Sequence, residues 1–193
     1  MGAVFSVLWS WVSPNSKVVQ VKAMTFSEEQ DLGPEADVAD ATTGLTLRHR
    51  TAIVRTWDLV RPDLKEHGVN FFLRLFQDAP LIQTRFKGFV GMTEAELKTN
   101  KRLVAHGTTV LMAITSMVDN IDDVSVLVEL LKNTGANHNS RGIPKDDFAL
   151  LFPVLLSYLK DNLGSAWTPL AEEGWKQACK VIHAVIISSY DTP

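Results

Sequence analysis

The sequence holds a single cysteine, Cys179, in 193 residues. One thiol excludes an internal disulfide and any metal site assembled from several cysteines, and it suits a reducing compartment. Positive charge is scarce as well: 19 Lys and Arg stand against 22 Asp and Glu, a net of −3. A chain so balanced lacks the basic field that collects nucleic acid. No apolar run reaches the roughly 18 residues that a membrane-spanning helix needs. Several signatures of common chemistries are missing: the G-x-G-x-x-G fingerprint, the P-loop, the G-x-S-x-G elbow and His-Glu-x-x-His. Carboxylates do come in pairs, at Asp122-Asp123, Asp146-Asp147 and Glu172-Glu173. Each pair opens an expected helix, where acids steady the positive end of the dipole, and no catalytic residue is assigned.

What is present is a chain 46% apolar, long enough for one compact domain with its own core. Its charge is unevenly spread. Residues 1–44 carry only Lys17 and Lys22 against Glu28, Glu29, Asp31, Glu35, Asp37 and Asp40, a net of −4 that leaves the remainder at +1. An acidic stretch with few large apolar side chains buries too little surface to pack. Residues 1–44 therefore read as an N-terminal extension ending in an acidic linker, and 45–193 as the folded domain.

There the pattern is helical. Leu47, His49, Ile53, Val54, Trp57 and Val60 recur at three- and four-residue steps, up to Pro62, which ends that helix or opens the next. Val69, Phe72, Leu73 and Phe76 mark a second helix. Thr93-Glu94-Ala95-Glu96 has the capping-box spacing and opens a long helix carrying Leu97, Leu103, His106, Val110, Ala113, Ile114 and Met117. After a break at Asp119-Asn120, Val124, Leu127, Leu130, Leu131 and Thr134 form the next stripe, with Gly135 as its stop. Two more helices follow Pro144 and Thr168-Pro169, the first bent by Pro153. Nothing alternates in strand fashion, and the fold class is all-α.

Of the five histidines, His49, His67 and His183 fall on half-exposed helix faces, while His106 lies on an apolar stripe and His138 just past one. From His106 the chain runs 14 residues to Asn120 and 18 more to His138. Helical legs of that length span about 21 Å and about 27 Å at about 1.5 Å per residue. Legs so nearly equal, folded back, return the second imidazole to the level of the first across an apolar gap. A flat cofactor with a central metal fits such a gap, and neutral imidazole is a good iron ligand. Taken by itself the spacing favours the plainer alternative, one hydrogen-bonded core histidine and one loop histidine.

An ordered set of residues adds to this. It comprises Trp57, the run His67-Gly68-Val69-Asn70-Phe71-Phe72, Pro80 six residues before Phe86, His106 with Val110, His138 32 residues on, Phe148 ten further, and Trp175 in the last helix. In order and gaps, the chain from residue 45 to near 190 resembles the globin family, in particular its neuroglobin and globin X branches. The resemblance implies helices packed around a haem b pocket. It implies His138 as the proximal iron ligand and His106 as the distal histidine, also able to bind the iron. Phe86 would pack on the porphyrin, Val110 stand beside the ligand site, Phe72 cap it, and Ile143 and Phe148 form apolar walls. Reversible binding of dioxygen and other diatomic gases follows, as carrier or sensor, with bis-histidyl iron at rest. The alternative is a redox enzyme on the same haem, for nitric oxide dioxygenation, nitrite reduction or removal of reactive oxygen species, served by a reductase. Two departures stand out. Neuroglobin-like proteins often place a basic residue three positions after the distal histidine to pair with a haem propionate; here Thr109 stands there, leaving Arg141 and Lys87 as candidates. The corner disulfide of some vertebrate neuroglobins has no second cysteine.

Met1-Gly2-Ala3-Val4-Phe5-Ser6 fits the N-myristoylation pattern M-G-x-x-x-[ST], with Gly2 as acceptor. Val4, Phe5, Val7, Leu8, Trp9 and Trp11 form an apolar, Trp-rich start suited to a bilayer interface. One myristoyl chain holds only marginally, so the aromatic residues are the second attachment; Lys17 and Lys22 are too few for a polybasic patch. Globin X-like proteins resemble this in carrying acylated N-termini, although Ala3 stands where they often have a palmitoylated cysteine. The expectation is contact with membrane lipid at the cytoplasmic face of a membrane, the plasma membrane foremost. A secretory signal competes with it but lacks a positive start, and Ser13-Pro14 is a poor cleavage setting. A disordered extension without a role is the third reading. Cys179, one turn past Trp175, is expected to be a buried inert thiol.

Overall fold

The computed structural model of the protein describes residues 32–190. Among them are eight α-helices and no strand: α1 (Leu47–Val60), α2 (Leu64–Asp78), α3 (Pro80–Arg85), α4 (Glu94–Thr99), α5 (Lys101–Asp119), α6 (Val124–Asn139), α7 (Asp147–Leu163) and α8 (Pro169–Ser188). The all-α class read from the sequence is what is found. Gly2, the tryptophan-rich start and the acids at 28, 29 and 31 lie outside the described residues.

Most helices start where a side-chain oxygen meets an unpaired backbone N–H. At α1, Thr46 Oγ1 accepts from the His49 N–H at 3.1 Å while His49 Nδ1 accepts from the Thr46 N–H at 3.3 Å. This is a capping box with histidine in the place glutamate usually takes. Thr93 and Glu96 make the expected box at α4, and Asp63, Asp123 and Thr168 cap α2, α6 and α8. Three details differ from the sequence reading. The long helix opened by Thr93 is two helices, because Asn100 takes an extended ψ of 116° and its Oδ1 accepts from the N–H groups of Arg102 and Leu103, restarting the coil. Gly135 does not stop α6, which continues to Asn139. It is glycine because α8 presses there: a Cβ would collide with the Ile186 carbonyl and the Ser189 side chain. Leu47, assigned to the inner stripe of α1, is 39% exposed.

The helices α1, α5 and α8 meet through two tryptophans. Trp57 and Trp175 are fully buried, their ring centroids 5.7 Å apart. Each indole N–H finds a threonine: Trp57 Nε1 donates to Thr115 Oγ1 at 3.0 Å, and Trp175 Nε1 to Thr56 Oγ1 at 2.8 Å. Burial of such large rings thus leaves no unpaired donor. The most intimate crossing is α2 on α5. A Cβ on Gly68 would lie 2.5 Å from the Gly107 backbone, and one on Gly107 2.7 Å from that of Gly68. The two helices touch backbone to backbone, an approach that only glycine permits. That contact sets Phe72, one turn beyond Gly68, beside His106, the residue before Gly107.

The expected linker is folded where it is described. Ala36, Thr43 and Leu45 are buried. Asp37 pairs with Arg48 at 2.8 Å, and Gln177 of α8 donates to the Thr43 carbonyl at 2.7 Å. The Thr43 N–H and hydroxyl both donate to Asp40 Oδ1 and hold that carboxyl below its ordinary pKa. The boundary drawn at residue 45 on acidity therefore falls inside packed structure. The acids Asp37 and Asp40 that argued against packing are themselves ion-pair and turn partners, and Ala36 beside them is buried.

Candidate functional site

His106 lies in the second turn of α5. Phe72 and Phe86 pack edge-on against its ring, at centroid distances of 4.9 Å and 5.1 Å. Phe86, the residue after α3, also meets Phe72, Phe76 and Phe89, so this face of the site is a cluster of aromatic edges and planes. Val110, one turn along α5, is half-buried against the same core. Among the described residues the His106 ring makes no hydrogen bond. Burial pushes its pKa below the ordinary histidine value, and the charge of Arg141 acts in the same direction, which favours the neutral imidazole.

His138 is supported differently. It is the penultimate residue of α6, and its Nδ1 lies 2.7 Å from the Thr134 carbonyl oxygen. A carbonyl has no proton to give, so Nδ1 carries the proton and donates it, leaving the lone pair on Nε2 in a fixed direction. Phe148 of α7 packs on this ring at 5.0 Å. Just beyond, α6 closes in a Schellman turn: Gly142 at φ +70° donates to the Asn139 carbonyl at 2.8 Å, and Ile143 donates to the His138 carbonyl at 3.1 Å. Ile143 is thereby tied to the backbone of His138.

The expected site residues thus fall into two groups, Phe72, Phe86 and Val110 with His106, and Ile143 and Phe148 with His138. The helices α5 and α6 that carry the two histidines themselves touch little. A brace that the sequence reading missed joins the two sides. Arg85, just before Phe86, and Asp147, just before Phe148, make two parallel bonds, Nε to Oδ2 at 2.8 Å and Nη2 to Oδ1 at 3.2 Å, with the carboxylate 11% exposed. The Thr134 carbonyl and the Gly142 turn were missed too. Gly142, four residues after His138, was the one sign available in the sequence.

Other candidates are committed elsewhere. His67 Nδ1 is hydrogen-bonded to the Tyr158 hydroxyl at 2.8 Å, His49 caps α1, and His183 packs on Phe152. Cys179 is buried, and that burial pushes its thiol pKa up to about 12. Among the described residues no three His, Cys, Asp or Glu side chains are grouped to hold a metal ion. Two imidazoles supply two donors, so a metal between them has to arrive with its other ligands attached. Walls of aromatic and aliphatic side chains suit a flat, largely apolar carrier of that kind.

Residues 69–186 match the protein family described as Globin. The chain belongs to the globin family. Globins bind haem and, on it, diatomic gases such as dioxygen. This globin is 27% identical over 147 residues to a globin of Nerita albicilla, an overlap of 76% of this chain and 94% of the relative. It is 30% identical over 146 residues to a Casuarina glauca protein named anaerobic nitrite reductase HBII, covering 74% and 91% of the two chains. A neuroglobin of Danio rerio is 27% identical over 146 residues, covering 75% and 89%. The likeness to neuroglobins read from the sequence is therefore found among its relatives.

Proposed function

We propose that this globin holds haem b between His138 and His106 and binds dioxygen and other diatomic gases reversibly at its iron. The observation that carries the reading is the unequal support of the two imidazoles. His138, with its proton committed to the Thr134 carbonyl, is the anchoring ligand. His106, its pKa lowered by burial and its ring packed against Phe72 and Phe86 without a hydrogen bond among the described residues, is the displaceable ligand of a six-coordinate resting state. When bound, the haem would supply the iron on which gas binding depends. The chain's own part is to orient the Nε2 of His138, to exclude water with Phe72, Phe86, Val110, Ile143 and Phe148, and to make an incoming gas compete with His106. Apparent affinity is then scaled by the fraction of time His106 is withdrawn. A cavity of about 30 Å³ lined almost wholly by apolar side chains, among them Ile53, Ile114, Met117 and Trp175, supports the reading, since it offers water few partners and a small apolar gas a place.

Absorption spectra of the ferric, ferrous and carbonyl forms test it. Six-coordinate low-spin spectra are expected in both oxidation states without added ligand. A five-coordinate high-spin ferrous form would remove His106 from the resting iron, and the absence of any Soret band after haemin reconstitution would remove the haem. The relative named as a nitrite reductase supports a second reading, a haem redox enzyme fed by a reductase. Stopped-flow turnover of nitrite or nitric oxide with a supplied reductant separates catalysis from reversible binding.

The M-G-x-x-x-S start supports a proposal about location: Gly2 is myristoylated and, with the Trp-rich segment, holds the globin to the cytoplasmic face of a membrane. Gly2→Ala is expected to move the protein from the membrane fraction to the soluble fraction and to remove one acyl chain from its mass. Identical partitioning of the two forms would rule the anchor out.

A further inference from the structure

Beyond the aromatic face of the gap stands another imidazole, paired with a phenol. His67 of α2 and Tyr158 of α7 are joined Nδ1 to hydroxyl at 2.8 Å, with Tyr158 only 5% exposed. Among the described residues Nδ1 is the one hydrogen-bonding partner of that hydroxyl. Were Nδ1 the donor, the phenolic proton would be buried without an acceptor, at the cost of an unmade hydrogen bond. The phenol therefore donates to Nδ1, and the half-buried His67 ring carries its own proton on Nε2. Burial, and after it the charge of Glu66, push the Tyr158 pKa up to about 12, so the phenol keeps its proton at neutral pH. Tyr190, the other of the two tyrosines in the chain, has a hydroxyl with no partner among the described residues.

Rings run in series from this pair to the gap. Tyr158 meets Phe71 at 5.8 Å, Phe71 meets Phe72 at 5.4 Å, and Phe72 meets His106 at 4.9 Å, centroid to centroid. A phenol that loses an electron becomes a strong acid, and a cation held in an apolar interior is costly. An electron leaves a buried tyrosine readily only where a base stands ready for the proton, and at Tyr158 that base is His67. We infer that Tyr158 and His67 are a redox-active pair that gives one electron to an oxidised metalloporphyrin in the gap beside His106. For its oxidant the inference rests on the haem reading above. In this step the phenolic O–H bond breaks and an N–H bond forms at Nδ1. Tyr158 is left as a neutral radical and His67 as imidazolium, and the porphyrin is lowered by one electron. The same hydrogen bond also ties α2 to α7, so the test has to separate structure from proton transfer.

A palladium porphyrin set in the pocket in place of haem supplies the oxidant. A light pulse with a sacrificial electron acceptor removes one electron from it, and electron paramagnetic resonance reports where the radical comes to rest. The wild type is expected to show a tyrosyl signal, Tyr158→Phe to lose it and Tyr190→Phe to keep it. His67→Gln retains a hydrogen-bond acceptor for the phenol but no base. Its thermal midpoint is expected to match the wild type, while the radical forms about a hundredfold more slowly, the lower end of what a positioned base contributes. Equal rates in the wild type and His67→Gln overturn the inference, as does a tyrosyl signal that survives Tyr158→Phe. A wild-type rate unchanged in D2O overturns it without any variant. A loaded protein that forms no tyrosyl radical overturns this inference alone. A chain that takes up no porphyrin shows no Soret band and overturns the haem reading and this inference together.

Discussion

Replacing His138 with leucine is expected to lower haem affinity more than about a hundredfold, beyond the 10–100-fold that follows loss of a partner behind a metal ligand. The reason lies in how the ring is held. Its Nδ1 proton is fixed on the Thr134 carbonyl at 2.7 Å, so the direction of Nε2 is set before any metal arrives. The His106 ring has no hydrogen bond among the described residues and packs against Phe72 and Phe86. His106→Leu should therefore retain haem, give a five-coordinate high-spin spectrum and raise the apparent gas affinity by removing the internal competitor. Haemin titrations followed in the Soret band compare the two variants directly. Similar losses from both would mean that neither histidine is the anchor.

Gly107→Val is expected to be the most destabilising single change in the fold. A Cβ there already meets the Gly68 backbone at 2.7 Å, and the Gly68 Cβ position meets the Gly107 backbone in turn. With main chain on both sides there is no flexible side chain to yield, so α2 and α5 must part. A cost of about 3 kcal/mol or more is expected, the upper range for overpacking, with a fall in Tm of about 6–12 °C for a domain of this size. The separation also draws Phe72 away from His106. Gly88→Ala is the control, since its nearest neighbour is the Arg102 Nη1 atom at 3.5 Å, and a change within about 0.5 kcal/mol is expected. Thermal unfolding of the two variants decides it, and a wild-type midpoint for Gly107→Val would show that the crossing is looser than described.

Features set by local pattern were legible in the sequence, and features set by a neighbour were not. The stripe through Ile53, Trp57 and Val60 and the capping box at Thr93 depend on residues a turn apart, and both are present. The break near Asn120, on which the equal-leg argument for the histidines depends, is also there, between Asp119 and Val124. Asn100 and Gly135 were misread because asparagine within a helical pattern and glycine near its end each have two meanings. Asn100 restarts a helix by capping it, and Gly135 admits α8 rather than ending α6. The orientation of His138 comes from a backbone carbonyl, which every residue has and no side chain announces. Acidity in the segment before Leu45 suggested an unpacked chain, yet Asp37 and Asp40 are bound to Arg48 and to Thr42 and Thr43.

The Arg85–Asp147 brace has a mechanical consequence. It rivets two strips of wall that come from distant parts of the chain, each rivet one residue from an aromatic ring: Phe86 on one strip, Phe148 on the other. Neither strip can lean outward alone. The rivet is ionic and sits at the rim, while the rings behind it interlock by shape, so salt loosens the first and leaves the second. A broad flat guest should consequently thread in and out faster as ionic strength rises, yet come to rest in an unchanged seat. The doorway and the chamber of this protein answer to different forces.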